Sequence, residues 1–290
     1  MHDAFLSLGP TIMERKKKLK KFAPISLEHL NAQMELMERI DKKYIVMADD
    51  LPLILESLTK DYAILTIQGK QYFDYKTMYM DTKTLDSFLA HQDKHDKRRK
   101  ARSRLYVDSN IAFFECKIKD GMTRKYRYAI DPYDYGIPTP QSQLFVGEIV
   151  RSHLRTDLTA PLVPELEVLY TRITLCNRKT NERVTIDTNL SFRNPDHHDI
   201  FSLPHIAIIE AKTQSDNAHF DRVIGNFGYQ PMSACSKYCL GMIYTRRVEE
   251  WTTFARTISH ISFLSLHHQS TLQKKRRDRK KNLNIIAQIK

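Results

Sequence analysis

Glycine is scarce in this chain of 290 residues, with 8 in all, and none forms a Gly-rich turn after a strand-like run. P-loop and dinucleotide-binding turns need such glycines, so both readings are excluded. The four cysteines, Cys116, Cys176, Cys235 and Cys239, include no Cys-x-x-Cys pair. Neither a disulfide framework nor a cysteine zinc site is expected, and a reducing compartment fits. No apolar run approaches the roughly 18 to 20 residues that span a bilayer, and Met1 to Gly9 lacks the basic start and apolar middle of a secretory signal. The expectation is a soluble chain that is not exported. No internal repeat with a period of about 20 to 50 residues is present, which argues against a solenoid.

What is abundant is positive charge: 46 Lys and Arg against 34 Asp and Glu, a net +12. Two short runs, Glu14 to Lys21 and Lys274 to Lys281, carry +5 and +6 of that excess. The rest of the chain is close to neutral, so an electropositive site within it must come from how side chains are arranged. With 41% hydrophobic residues the chain can bury a sizeable core, and disorder throughout is excluded.

Runs rich in β-branched and aromatic residues recur, with charges at every second position: 35–47, 72–81, 97–107, 111–119, 123–130, 164–176, 182–193 and 205–212. That period of two predicts about eight antiparallel strands. Helical spacing predicts helices over 51–60, capped by Asp49 and Asp50, and over 84–92, 141–154 and 232–240. The fold class is therefore α+β.

Parity sorts the charges. Arg98, Lys100, Arg102 and Arg104 share one face; so do Glu115, Lys117 and Lys119, then Lys125 and Arg127. Arg39, Asp41 and Lys43 align, as do Tyr170 with Arg172, Arg183 with Asp187, and Glu210 with Lys212. If the apolar parity packs against helices, these cationic faces converge on a common interior. Crowded cations repel by several kcal/mol at low dielectric unless carboxylates or bound anions compensate. A closed eight-stranded antiparallel β-barrel tunnel with helices outside satisfies this and removes the sheet edges. An open sheet with a solvated basic face is the alternative. Nucleic acid is disfavoured as partner, because the basic strands lack paired stacking aromatics and a Gly-rich motif.

Seven motifs, in order, carry a resemblance: Arg39-Ile-Asp41-Lys-Lys43-Tyr44, Tyr79-Met-Asp81-Thr82, Lys100-Ala-Arg102-Ser-Arg104-Leu-Tyr106, Phe114-Glu115-Cys-Lys117-Ile-Lys119, Arg183-Val-Thr-Ile-Asp187-Thr188, Glu210-Ala-Lys212 and Ser236-Lys237-Tyr238. The chain resembles the VTC domain, the polyphosphate polymerase module within the CYTH-like triphosphate tunnel metalloenzymes. The resemblance implies domains at 1–24 (basic lead), 25–246 (tunnel domain) and 247–290 (extension with basic tail). It implies Mn²⁺ or Mg²⁺ as cofactor, and ATP and inorganic polyphosphate as partners. Lys43, Arg102, Arg104 and Lys237 are the implied catalytic cations; Lys100, Lys117, Lys119, Lys125, Arg127, Arg172, Arg183 and Lys212 the implied phosphate ligands. Glu210 is the implied metal ligand, with Glu115 and Asp187 as further candidates, and Asp41 belongs to the same network. Hydrolytic relatives open with Glu-x-Glu-x-Lys, whereas here a cation, Arg39, takes the first position. That favours a polymerase over a triphosphatase or nucleoside triphosphatase of the same fold, or a non-catalytic polyphosphate-binding module.

The remaining candidates are weaker. His91 and His95 flank a helix end without a third metal ligand, and adjacent histidines such as His197 and His198 point apart. Ser233 and Ser236 have no evident base partner, so nucleophilic catalysis is not expected. The basic tail could attach to anionic lipid or a membrane partner, giving a cytoplasmic protein peripheral at the inner face of a membrane.

Overall fold

The computed structural model describes residues 17–32, 40–197, 199–245 and 247–288, with side chains as far as Lys274. Arg39, the start of the first expected strand and the N-terminal basic run before Lys17 lie outside these residues.

Alternating sequences make the long strands. In chain order they are β1 (Ala23–Ile25), β2 (Ile40–Met47), β3 (Ala63–Leu65), β4 (Phe73–Asp81), β5 (Lys97–Tyr106), β6 (Ile111–Asp120), β7 (Met122–Ile130), β8 (Val163–Asn177), β9 (Glu182–Arg193), β10 (Ile200–Leu203) and β11 (Ile206–Thr213). Eight of them form one path, β2-β11-β9-β8-β4-β5-β6-β7, every neighbouring pair antiparallel. The helices are α1 (Leu27–Ala32), α2 (Leu51–Leu58), α3 (Asp86–Gln92), α4 (Pro140–Leu154), α5 (His219–Gly225), α6 (Lys237–Tyr244) and α7 (Ala255–Gln288). The α+β class is as the sequence implies. Among the described residues no helix is long and apolar enough to cross a membrane.

The expected barrel is open along one seam. Among the described residues β2 and β7 share no pairing, because the far edge of β2 is already occupied. Lys43 accepts the amide of Met232 at 2.7 Å, the amide of Met47 donates to the Tyr229 hydroxyl, and His260 contacts the Ile45 carbonyl. The stretch before α6 thus lies beside β2, where helical spacing alone predicts a helix from residue 232. The helix begins instead at Lys237, where the Ser236 hydroxyl caps it by accepting the Cys239 amide.

Outside the sheet, α4 starts on Pro140 behind a Thr139 cap and buries Val146, Ile149 and Val150 against Met78, Phe114 and Ile118. Asp49 and Asp50 do not cap α2; Asp50 accepts instead from Tyr229 at 2.5 Å. Asp81, at the end of β4, receives the amides of Ser87 and Phe88 and so caps α3 from the preceding strand. The main core takes in Leu19 and Phe22 from the N-terminal lead and Phe254, Ile261 and Leu264 from beyond residue 246.

Candidate functional site

The register brings the sorted charges together on the inner face. Lys117 stands opposite Lys100 on one side and Lys125 on the other, and Glu115 stands between Arg102 and Arg127. Across the interior, Arg172 faces Asp187, Lys212 faces both Arg183 and Asp41, and Glu210 faces Lys43. Lys237, at the start of α6, enters the same space. The structure therefore gathers the inferred site residues from seven strands and a helix. Lys119 stands at the rim, 4.0 Å from Asp96, and Arg127 lies over the Phe113 ring at 4.7 Å.

Within this lining two carboxylates are already committed. Glu115 is buried, with Arg102 Nε 2.6 Å and Arg104 Nη1 3.8 Å from it and Lys125 in contact. Burial alone would raise its pKa, but those three cations hold it far below the usual carboxylate range. Asp187 is equally buried and takes Arg172 in a forked pair, at 2.6 and 2.8 Å, together with Lys237. It too is lowered, its burial outweighed by Arg172 and Lys237. Beneath this second node Tyr170 stacks on Tyr75 at 5.2 Å, with Arg172 and Lys237 over the Tyr170 face at 5.3 and 5.2 Å. The aromatic faces supply part of the compensation that buried cations need.

A third region is different. Lys43, Lys100 and Lys117 have no carboxylate within ion-pair distance among the described residues. Lys43 donates to the Cys235 carbonyl at 3.1 Å. Lys100 donates to Ser236 Oγ at 2.9 Å and to His91 Nδ1 at 2.6 Å. Burial, followed by Lys100, pushes the His91 imidazole down to about 2, so it stays neutral and accepts that hydrogen bond. Lys100 itself is pushed down to about 8, by burial first and then by Lys43 and Lys117. Lys43 and Lys117 both disfavour the charged form of Lys100, and the hydrogen-bond acceptors of Lys43 and Lys100 are neutral, so this corner is suited to an external anion.

His91, Tyr75 and Ser236 were not picked out as site residues by sequence reasoning. His91 does not pair with His95, which lies by Asp93 instead, and spacing gave no signal of its contact with Lys100. Among the described residues no three His, Cys, Asp or Glu side chains cluster to hold a metal. With Glu115 and Asp187 committed to ion pairs, Glu210 and Asp41 are the carboxylates at hand, 3.3 and 3.2 Å from Lys212. Burial would raise Glu210, but Lys212, Lys43, Arg172 and Lys237 hold it well below the usual range. An ionised, hard oxygen donor beside an anion site would suit a hard divalent cation.

Fold and site together define an antiparallel sheet whose inner face is lined with cations. The sequence matches the VTC domain over residues 38–246, and the chain belongs to that family. Among curated proteins nothing matches. Solved structures with similar folds include the PH1819 protein of Pyrococcus horikoshii OT3, at 13% identity and TM-score 0.41, covering 72% of this chain and 99% of that one. A proposed adenylyl cyclase from Hippeastrum with a dominant triphosphatase activity is similar at 13% identity and TM-score 0.46, covering 71% and 95%. A proposed adenylate cyclase from Vibrio parahaemolyticus follows at 11% and 0.40, covering 70% and 97%. The family assignment rests on the sequence match.

Proposed function

We propose that the chain is a metal-dependent polyphosphate polymerase. A terminal oxygen of the polyphosphate attacks the γ-phosphorus of ATP, the bond to the β,γ-bridging oxygen breaks, and ADP leaves. Phosphoryl transfer asks the protein for alignment and charge compensation more than covalent help. Lys43, Arg102, Arg104 and Lys237 hold the transferring group. Lys100, Lys117, Lys119, Lys125, Arg127, Arg172, Arg183 and Lys212 hold the rest of the chain. Glu210, with Asp41 beside it, would hold a divalent cation, which would supply charge neutralisation for the phosphates.

The observation that carries this reading is the trio Lys43, Lys100 and Lys117, without an ion pair of its own among the described residues, next to two nodes that already contain their counterions. A single phosphate would satisfy one such cluster; a lining that extends across seven strands suits a chain of phosphates. The basic end of α7, residues 274–281, is where anionic lipid or a membrane partner would attach, keeping a cytoplasmic enzyme at a membrane face.

The test is incubation of the purified protein with ATP and Mn²⁺, with products sized on gels before and after exopolyphosphatase. Long, exopolyphosphatase-sensitive chains are expected, and none from Lys237→Ala or Arg102→Ala. Orthophosphate without polymer would make the protein a triphosphatase, and polyphosphate binding without turnover under any divalent metal would make it a binding module.

A further inference from the structure

The interior is packed along its axis at one end, and along its side the sheet is not closed by strand pairing among the described residues. At the end where β4 finishes and β8 begins, α6 fills the space between the strands. Tyr238 stacks on Tyr79 at 5.2 Å and donates to Asp81 at 2.6 Å. Gly241 approaches so closely that a Cβ there would lie 2.3 Å from Leu166 and 2.7 Å from Phe192. That packing leaves no axial passage for a hydrated anion.

The side is another matter. The lining cations of the deep wall are well covered, with side chains 8% (Arg104), 13% (Lys237) and 15% (Arg172) exposed. On the wall next to the seam Lys119 is 36% and Lys125 40% exposed. Lys117, also exposed, lies within electrostatic reach of Lys43 and Glu210 on the facing wall. Among the described residues β7 bonds only to β6, so its outer edge is bare of strand pairing; Lys117, Lys119 and Lys125 flank it on one side, and the stretch before α6 that lies along β2 and meets Lys43 and Lys100 flanks it on the other. A dead-end tunnel admits only a chain end, whereas a slot admits any internal stretch of a long polyanion.

The geometry points to lateral loading: a long polyphosphate enters and leaves through the slot beside β7, without threading an end through the barrel. This rests on the reading of the site as one for polyphosphate. It accounts for how a long product departs when one end of the barrel is packed shut.

The experiment uses the full chain and long polyphosphate biotinylated at both ends, with and without streptavidin on each end, in a binding titration competed by tripolyphosphate. Lateral loading predicts equal affinity for blocked and unblocked chains, within about twofold, and full competition by tripolyphosphate. Blocked chains that bind about tenfold or more weakly, a difference of about 1.4 kcal/mol, overturn it and leave the polyphosphate reading intact. Blocked chains that tripolyphosphate fails to displace are held outside the interior, by the basic tail for instance, and also overturn it. Failure of every chain to bind overturns the reading and the inference together. A second readout uses Thr123→Cys on the exposed lip of β7; the four native cysteines are buried, so a bulky maleimide reacts there selectively. The label should cut affinity for blocked chains about tenfold while sparing tripolyphosphate, and equal binding of blocked chains to the labelled protein overturns the slot as the route.

Discussion

Replacing Asp187 by Asn keeps the side-chain shape and removes the one charge that two buried cations share. Arg172 holds Asp187 by two hydrogen bonds of 2.6 and 2.8 Å, with Lys237 on the same carboxylate. At an effective dielectric of about 20, unit charges about 4 Å apart attract by about 4 kcal/mol. Both cations lose that attraction in Asp187→Asn and remain desolvated. Breaking a buried pair in this way costs about 3–5 kcal/mol, and because the Asn carbonyl still accepts from Arg172, the lower figure of about 3 kcal/mol is expected. For a domain of this size each kcal/mol lowers Tm by about 2–4 °C, so the loss is on the order of 10 °C. An anion in the interior stands in for the missing carboxylate. Tripolyphosphate should therefore raise the Tm of Asp187→Asn by more than it raises that of the native chain, in calorimetric scans at saturating ligand. Adding Lys237→Met should recover part of the loss, since one of the two orphaned cations is gone. An unchanged Tm, or a fall that tripolyphosphate does not reduce, would refute the assignment of Asp187 as an internal counterion.

Three further outcomes follow from the same site. Lys100 is held near 8 against an ordinary 10.5, so between those values the unfolded chain binds more protons and the ligand-free protein gains stability from Lys100 as pH rises. A polyanion favours the charged form, so tripolyphosphate binding at pH 8 to 9 should take up protons, read by calorimetry in two buffers of different ionisation enthalpy; Lys100→Arg should reduce the uptake, with Lys125, which burial also pushes down to about 8, supplying much of the rest. Glu210→Gln should remove the divalent-metal dependence of catalysis while leaving metal-free tripolyphosphate binding unchanged or tighter, because an acid leaves a cation-rich interior; weaker metal-free binding would contradict its role. Gly241→Ala adds a methyl within 2.3 Å of Leu166; overpacking of about 1–3 kcal/mol outweighs about 1 kcal/mol of helix propensity, and urea unfolding should show a net loss of about 1 kcal/mol.

The parts of this molecule that were legible in the sequence are those set by local period. Arg98 to Arg104 and Glu115 to Lys119 share faces because strand side chains alternate, whatever the strand pairs with. Register is not local, so the sequence could place Glu115 and Asp187 on the inner surface without saying that each is claimed by cations. Both were further metal-ligand candidates implied by the family resemblance, and pairing with Arg102 and Arg172 puts them in a different situation. Helix α6 illustrates the same limit: apolar spacing from Met232 suggests a helix, yet the Met232 amide bonds to Lys43, 189 residues earlier in the chain, and the helix waits for Ser236. That one distant contact also keeps β2 from closing on β7, so the open seam and the late helix have a common cause. His91 is nine residues from Lys100 and meets it only because α3 folds back over β5, which no pattern of spacing announces.

The lining divides its positive charge into two kinds, and the division says where an external anion is most needed. Arg102, Arg104 and Lys125 around Glu115, and Arg172 and Lys237 around Asp187, are held in place by internal carboxylates whether or not ligand is present. Such preset cations cost no reorganisation when phosphate arrives, which suits them to stabilise charge that develops during transfer. Lys43, Lys100 and Lys117 repel one another until an anion comes between them, so their mutual strain is relieved by binding itself. Affinity for the chain should therefore depend mostly on the lysine trio, and rate mostly on the preset arginines. Lys117→Met should raise KM with little change in kcat, Arg102→Met should lower kcat with little change in KM, and the reverse pattern would mean that the internal carboxylates merely keep buried arginines in a stable fold.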